Sequence, residues 1–145
     1  MSHPSAWITF ILFWGVLSVA ALYWLDFTPE ELIAASLAAA VIHWLSELAH
    51  QLGHAWVARQ NGYPMIGIRF WGAFSTCLYP DEPELPARIH IRRALGGPVM
   101  SFCISILAGL LALWNDPAGG VKFYILLFAF LDNFLVLTLG AFLPL

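Results

Sequence analysis

Four long apolar stretches constrain this chain more than any other feature of its sequence. They cover about residues 6–25, 31–58, 98–114 and 121–143, and the first contains no charged side chain. A helix needs roughly 20 apolar residues to cross the hydrocarbon layer of a bilayer, and in lipid it can pair its own backbone groups. We therefore expect an all-α membrane protein with about four transmembrane helices, forming a single transmembrane domain over residues 1–145.

The composition excludes several classes of protein. Hydrophobic residues make up 61% of the chain and charged residues 10%, whereas soluble domains carry about 25% charged residues. A chain of 145 residues cannot bury that much apolar surface within itself, which excludes a free soluble enzyme. The net charge of −3 excludes nucleic acid as a partner, because a surface that binds nucleic acid needs an excess of Lys and Arg. The expected partners are the lipid bilayer and other membrane protein subunits.

The loop between the second and third stretches, residues 59–97, carries most of the positive charge. It holds five of the six basic side chains, namely Arg59, Arg69, Arg88, Arg92 and Arg93. The positive-inside rule predicts that this loop is cytoplasmic, with both chain termini on the same side. Residues 66–71 alternate like a strand and predict a small β-hairpin with residues near 73–78.

Local signals predict where two of the helices begin. Thr28 and Pro29, followed by two glutamates, indicate an N-cap, a proline in the first helical position and acids in the first turn. Gly96, Gly97 and Pro98 predict the end of the loop and the start of the third span.

The second span carries polar side chains that cannot face lipid. His43, Glu47, His50 and His54 fall within about 60° of one another on a helix, and Gln51 lies beside them. Polar groups inside a span are costly, so they indicate function; the alternative is that they bond one another and neighbouring helices and only specify packing. Two histidines four residues apart suit a transition metal, although zinc needs at least a third protein ligand.

The run His50-Gln51-Leu52-Gly53-His54 resembles the HExxH motif of zinc metalloproteases, in the H-x-L-G-H form of the site-2 protease family of intramembrane metalloproteases. Residues 55–62 look like that family's continuation of the motif helix. Gly97-Pro98 is similar to its Gly-Pro helix, and residues 133–145 look like the approach to its final Asp-Gly motif. The resemblance covers roughly residues 32–145. It implies a zinc-dependent intramembrane endopeptidase core, strands over the active site, and His50 and His54 as metal ligands.

The sequence departs from the family's pattern in three places. Gln51 stands where the family has its general base, and an amide cannot accept the proton of a zinc-bound water. The resemblance would put the third ligand, an Asp, a few residues past Leu145. Ser101 stands in place of the Asn of Gly-Pro-x-x-Asn. Gln51 has two open origins, natural degeneration or an inactivating substitution.

The weaker candidates for the metal are three other side chains, His43, Glu47 and Asp132. Glu47 lies one turn before His50 and is expected to orient the imidazole of His50 or His43. Asp132, the only acid of the fourth span, either pairs with a helix neighbour or serves as a third ligand.

Three functions follow from these features. The first is a non-proteolytic accessory or structural subunit of a membrane protein complex, built on a site-2-protease-like core. The second is an intramembrane zinc protease that is active in its natural form, with this sequence being an inactivated and truncated version of it. The third is a subunit that binds a haem or chlorophyll-type cofactor through a histidine at a subunit interface.

Overall fold

Four apolar helices and one hairpin make up the computed structural model, which describes residues 4–81, 84–115 and 119–143. The elements are α1 (Pro4–Trp24), α2 (Pro29–Gln60), β1 (Gly67–Trp71), β2 (Phe74–Leu78), α3 (Ala87–Trp114) and α4 (Val121–Leu131). α4 continues as a π-helical segment, Asp132–Leu139, and a 3-10 turn, Gly140–Phe142. The expected fold class is confirmed. Residues 133–145 were predicted to approach an Asp-Gly motif, and the last two of them, 144 and 145, lie outside the described residues.

All four helices are long and apolar enough to cross a membrane within the described ranges, if α4 is taken with its continuation. α1 illustrates the lipid-facing character of the chain, because Ala6 is its only residue described as buried. Large side chains such as Leu12, Val16 and Leu22 are exposed around it. A bilayer is the environment in which such surfaces are stable, so the protein is an integral membrane protein.

The start of α2 is as predicted, and the start of α3 is not. Thr28 Oγ1 accepts the Glu31 N–H at 3.3 Å, and the Glu31 carboxylate accepts the Thr28 N–H at 3.0 Å, which forms a reciprocal capping box. α3 begins at Ala87, so the expectation that Pro98 opens it is wrong. Pro98 removes one backbone donor, and the α3 backbone continues through it as helix.

α2 is the central element and packs against α1, α3, α4 and β2. Its crossing with α3 is close because both helices have glycine there. A Cβ on Gly53 would overlap the Gly96 carbonyl, and a Cβ on Gly96 would overlap the backbone of Gly53. Ser101 and Ser105 continue the buried small-residue face of α3, as expected for helices in close contact within a membrane.

The hairpin has the predicted position and lies against α1 and α2. Its register runs from Trp71↔Phe74 at the turn to Gly67↔Leu78 at the open end. Gly72 in the turn has φ +54° and packs against the side chain of Thr9 on α1. Aromatic contacts hold the hairpin to α2, because Phe70 stacks on Trp44 with ring centroids 5.5 Å apart.

Candidate functional site

The polar residues of α2 lie inside the protein, as the helical spacing predicted. We call His43, Glu47, His50, Gln51 and His54 the polar stripe. The exposed fraction is 3% for His43, 3% for Glu47, 8% for His50 and 5% for Gln51, and His54 is half-buried. The stripe faces the hairpin, α3 and the π-helical segment. The contacts divide it into two parts with different surroundings.

The first part of the stripe is bonded to the hairpin in register. His43 bonds Ala73, Glu47 bonds Ser75, and Gln51 bonds Ser75 and Cys77. Four residues of α-helix rise about 6 Å, and two residues of strand rise about 6.6 Å. Successive turns of α2 therefore lie beside residues 73, 75 and 77, which alternate along the hairpin. One polar face of α2 can thus bond the whole edge of β2.

These bonds satisfy backbone groups that a strand edge leaves open. The Ser75 N–H donates to Glu47 Oε2 at 3.1 Å, and the Ser75 hydroxyl donates to the same oxygen at 2.5 Å. The Ser75 carbonyl accepts from Gln51 Nε2 at 3.0 Å. Backbone beside a membrane-spanning helix has little water to bond, so side chains must take that role. The polar stripe closes the edge of β2 that faces away from β1.

Both ends of the Gln51 amide are used. While Nε2 donates to Ser75, Oε1 accepts from the Cys77 thiol, with 2.8 Å between sulfur and oxygen. Burial raises the pKa of the Cys77 thiol, which keeps it protonated and able to donate. A carboxylate could accept from Cys77 but could not donate to Ser75. The hairpin is therefore built around an amide at position 51.

His43 pairs with Asp132 across 89 residues of sequence. His43 Nδ1 lies 2.9 Å from Asp132 Oδ1, and His43 Nε2 lies 2.8 Å from the Ala73 carbonyl oxygen. Both imidazole nitrogens of His43 thus face oxygen atoms, one from the Asp132 side chain and one from the backbone. Of the two readings open for Asp132, the pairing with a helix neighbour is the one observed.

Glu47 does not orient an imidazole as expected. Its hydrogen bonds in the described part of the chain go to Ser75. The reason is the position of β2, because the Ser75 N–H and the Ser75 hydroxyl both donate to Glu47 Oε2.

The second part of the stripe is a pair of facing imidazoles. His50 Nε2 and His54 Nε2 are 3.1 Å apart. His54 Nδ1 lies 2.7 Å from the Arg93 carbonyl and His50 Nδ1 lies 2.9 Å from Ser101 Oγ. A consistent arrangement has Ser101 donating to His50, His50 to His54, and His54 to Arg93. The Gly97 N–H also points at His54 Nδ1, at 3.2 Å, but the shorter Arg93 contact favours a proton on Nδ1.

The two imidazoles fit one edge of a tetrahedral metal site. Zinc–nitrogen bonds of about 2.05 Å at a tetrahedral angle put two ligand nitrogens about 3.3 Å apart, close to the 3.1 Å seen here. With zinc bound, His50 would carry its proton on Nδ1 and donate to Ser101, a typical outer partner. However, within the described ranges no three His, Cys, Asp or Glu side chains are grouped to hold a metal ion. The described residues do not complete a zinc site.

The surroundings of the histidine pair combine apolar and polar side chains. The pair opens into a cavity of about 1200 Å³, and the π-helical segment and the 3-10 turn line part of it. That part of the lining is apolar and includes Leu135, Leu137 and Ala141. On the opposite side a Cβ on Gly97 would overlap Nε2 of both histidines. Asp81, Glu84 and His90 also line the cavity, but the described residues group no three possible ligands around one point.

Several functional contacts come from residues that sequence reasoning did not single out as site residues. Ser75 anchors the hairpin, and Arg93 lies with its guanidinium carbon 3.5 Å from the centre of the Tyr79 ring in the same cavity. Burial raises the pKa of Tyr79, so it remains a neutral phenol beside that cation. A serine in an apolar strand and an arginine just before a span are the signals that were available.

Comparison with known proteins supports the fold. No family model matches the sequence, and the search of curated proteins gives no match. Among solved structures, the chain is similar to the site-2 protease from Methanocaldococcus jannaschii, with 20% identity and a TM-score of 0.56. The similarity covers 87% of this chain and 55% of that one, so the chain spans about half the length of the solved protein. With four membrane-spanning helices and a hairpin against the motif helix, the chain has a site-2-protease-like membrane fold.

Proposed function

We propose that this chain is a non-proteolytic member of the site-2-protease-like fold that acts as an accessory or structural subunit of a membrane protein complex. The observation that carries the proposal is the environment of Gln51. Its amide stands at the position of the general base in HExxH enzymes and bonds β2 through both of its ends. An amide has no lone pair that accepts a proton at neutral pH.

The ligand set supports the same conclusion. Peptide hydrolysis by a single zinc needs three protein ligands and an open position for water. His50 and His54 supply two, and the described residues group no third possible ligand with them. The other acids of the polar interior are used elsewhere, because Glu47 anchors Ser75 and Asp132 pairs with His43.

The subunit role is supported by the lipid-exposed helices. Within the part of the chain described here, α1 packs mainly against α2 and the hairpin. Large apolar side chains such as Leu12, Val16 and Leu22 are exposed on it, which gives a neighbouring transmembrane helix a surface to pack against. We propose that partner subunits pack there, and that the arginine-bearing loop and both termini lie on the cytoplasmic side.

A cleavage assay tests the loss of activity. The purified chain is reconstituted in liposomes with a peptide that carries a transmembrane segment, with and without a metal chelator. We expect no cleavage that the chelator abolishes. His50→Ala is the matched control for contaminating proteases. Cleavage that needs His50 and stops on chelation would overturn the proposal.

The subunit role has its own test. Native membranes are solubilised in a mild detergent and separated by size under native conditions. The chain is expected to migrate with other membrane proteins in an assembly several times its own mass. Migration as a free monomer under every mild detergent would contradict this part of the proposal and leave the chemistry at position 51 untouched.

An active zinc endopeptidase is the second candidate, and one observation favours it. The spacing of the two Nε2 atoms is close to that of zinc ligands, and the cavity gives water access to them. This candidate requires glutamate at position 51 and an acid from outside the described residues. It predicts that Gln51→Glu gains chelator-sensitive cleavage. The haem or chlorophyll alternative is less favoured. Each Nε2 faces the other imidazole and Gly97, whereas an axial ligand needs open space for a flat macrocycle in front of its nitrogen.

A further inference from the structure

A second polar site lies between α2 and the π-helical segment, away from the histidine pair. Two acceptor atoms there are sealed from solvent and have no hydrogen-bond partner, namely Asp132 Oδ2 and Asn133 Oδ1. Their residues are 6% and 0% exposed. Among the described residues, one other buried polar side-chain atom lacks a hydrogen-bond partner. It is a donor, Trp44 Nε1, and lies in an aromatic cluster with Phe70.

The two orphan acceptors belong to consecutive residues that face the same helix. Asp132 reaches His43 through Oδ1, and Asn133 Nδ2 donates to Ser46 Oγ at 2.8 Å. His43 and Ser46 are one turn apart on α2, so both side chains point into the same contact region between α2 and the π-helical segment, which we call the seam. The neighbouring donors are already used, since Asn133 Nδ2 also bonds the Ala129 carbonyl and the Thr138 hydroxyl donates to the Asn133 carbonyl.

Leaving a buried acceptor without a donor costs about 1–3 kcal/mol, and more when the acceptor is charged. Buried polar groups in proteins are therefore almost always satisfied by protein or by ordered water. We propose that one buried water molecule occupies the seam and donates a hydrogen bond to Asp132 Oδ2 and to Asn133 Oδ1. It ties the π-helical segment to α2. This inference is independent of the proposed function.

Coordination chemistry favours water over a metal cation in this position. A water molecule can donate one hydrogen bond to each of the two acceptors. Magnesium and calcium take six or more oxygen ligands, and only two unpaired buried oxygens are found here among the described residues. The π-helical turn widens the helix at this point, and such turns commonly accompany polar sites inside helices.

The direct test is a crystal structure of the whole chain in a lipid phase, at a resolution that shows ordered water. We expect a density peak within hydrogen-bond distance of both oxygen atoms. Well-ordered side chains with no peak between them would overturn the proposal. A soak in rubidium chloride separates water from a cation, because an anomalous peak in the seam would also overturn it.

A vibrational measurement tests the same water without crystals. In D2O the O–D stretch of the bound water should shift when the solvent is exchanged for D2¹⁸O. We expect this shifted band to be lost or moved in Asn133→Leu, which removes Oδ1. It should persist in Ser46→Ala, which removes the bond from Asn133 Nδ2 and keeps Oδ1. Identical bands in wild type and Asn133→Leu, or loss of the band in Ser46→Ala alone, would refute the bridging role.

Discussion

Replacing Gln51 by glutamate separates an anchoring residue from a lost catalytic base. The substitution keeps the size of the side chain and the acceptor for the Cys77 thiol. It removes the donor to the Ser75 carbonyl, which lies 3.0 Å from Gln51 Nε2. An ionised carboxylate would then face that carbonyl oxygen, and both would be acceptors. The hairpin should therefore be held less firmly against α2.

The size of the effect can be bounded in two ways. A buried acceptor left without its donor costs about 1–3 kcal/mol, and more beside a charge, which gives about 2–4 kcal/mol here. The alternative is to protonate the new glutamate so that it donates. From an ordinary value of about 4.3 this costs about 3.7 kcal/mol at pH 7. Both routes give a similar loss, equivalent to roughly 30- to 900-fold more frequent opening of the hairpin.

Thiol labelling reads this opening directly, because Cys77 lies on β2 and is hydrogen-bonded to Gln51. Cys103 is exposed and is replaced by serine in every variant. We expect Cys77 in Gln51→Glu to be labelled by a small maleimide tens to hundreds of times faster than in the Gln51 protein. Gln51→Met loses both bonds without adding charge and serves as the matched comparison. Equal labelling rates in Gln51→Glu and the Gln51 protein would refute the anchoring role of the amide.

The remaining predictions concern packing, the buried pair and topology. Gly97→Ala should lower the free energy of unfolding by about 1–3 kcal/mol in denaturant titrations, because the added Cβ overlaps both imidazoles. Gly15→Ala is the control and should cost nothing, because a Cβ there meets nothing within 4 Å. Equal effects of the two substitutions would contradict the close packing of Gly97 against the histidine pair. His43→Leu should cost about 3–5 kcal/mol of unfolding free energy, because Asp132 is left buried without its partner. His90 is exposed, so His90→Leu should change the stability little. A similarly small effect of His43→Leu would contradict a stabilising His43–Asp132 pair. In a cysteine-free background, Arg88→Cys should react with an impermeant maleimide from the cytoplasmic face and Asp26→Cys from the opposite face, and the reverse pattern would invert the proposed orientation.

Local features of the fold could be predicted from the sequence because their causes are local. Helical spacing and the cost of polar groups in lipid place the stripe inside the protein. The capping box at Thr28 and the strand alternation at residues 66–71 depend on neighbouring residues only. The start of α3 was misplaced because Pro98 resembles a first-turn proline. Nothing in the local pattern shows that residues 87–97 are part of the helix. Gly96 belongs to this segment, and the residue that requires its small size, Gly53, is distant in the sequence.

The organisation of the site could not be predicted, because it depends on distant segments. The stripe resembles one site, because its residues share one side of a single helix. Its division into a hairpin anchor and a histidine pair is decided by Ser75, which comes from β2, and by Ser101, which comes from α3. The partner of His43 is 89 residues away. Short polar residues such as these occur in many apolar segments and do not identify their partners.

The zinc content of the purified chain tests the central claim most directly, that the polar stripe anchors a hairpin and does not complete a metal centre. The protein is purified in mild detergent, equilibrated with a small excess of zinc, passed through a desalting column and analysed for metal. We predict well below one zinc ion per chain, with no difference between wild type and His50→Ala. One retained zinc ion per chain that disappears in His50→Ala would contradict the account.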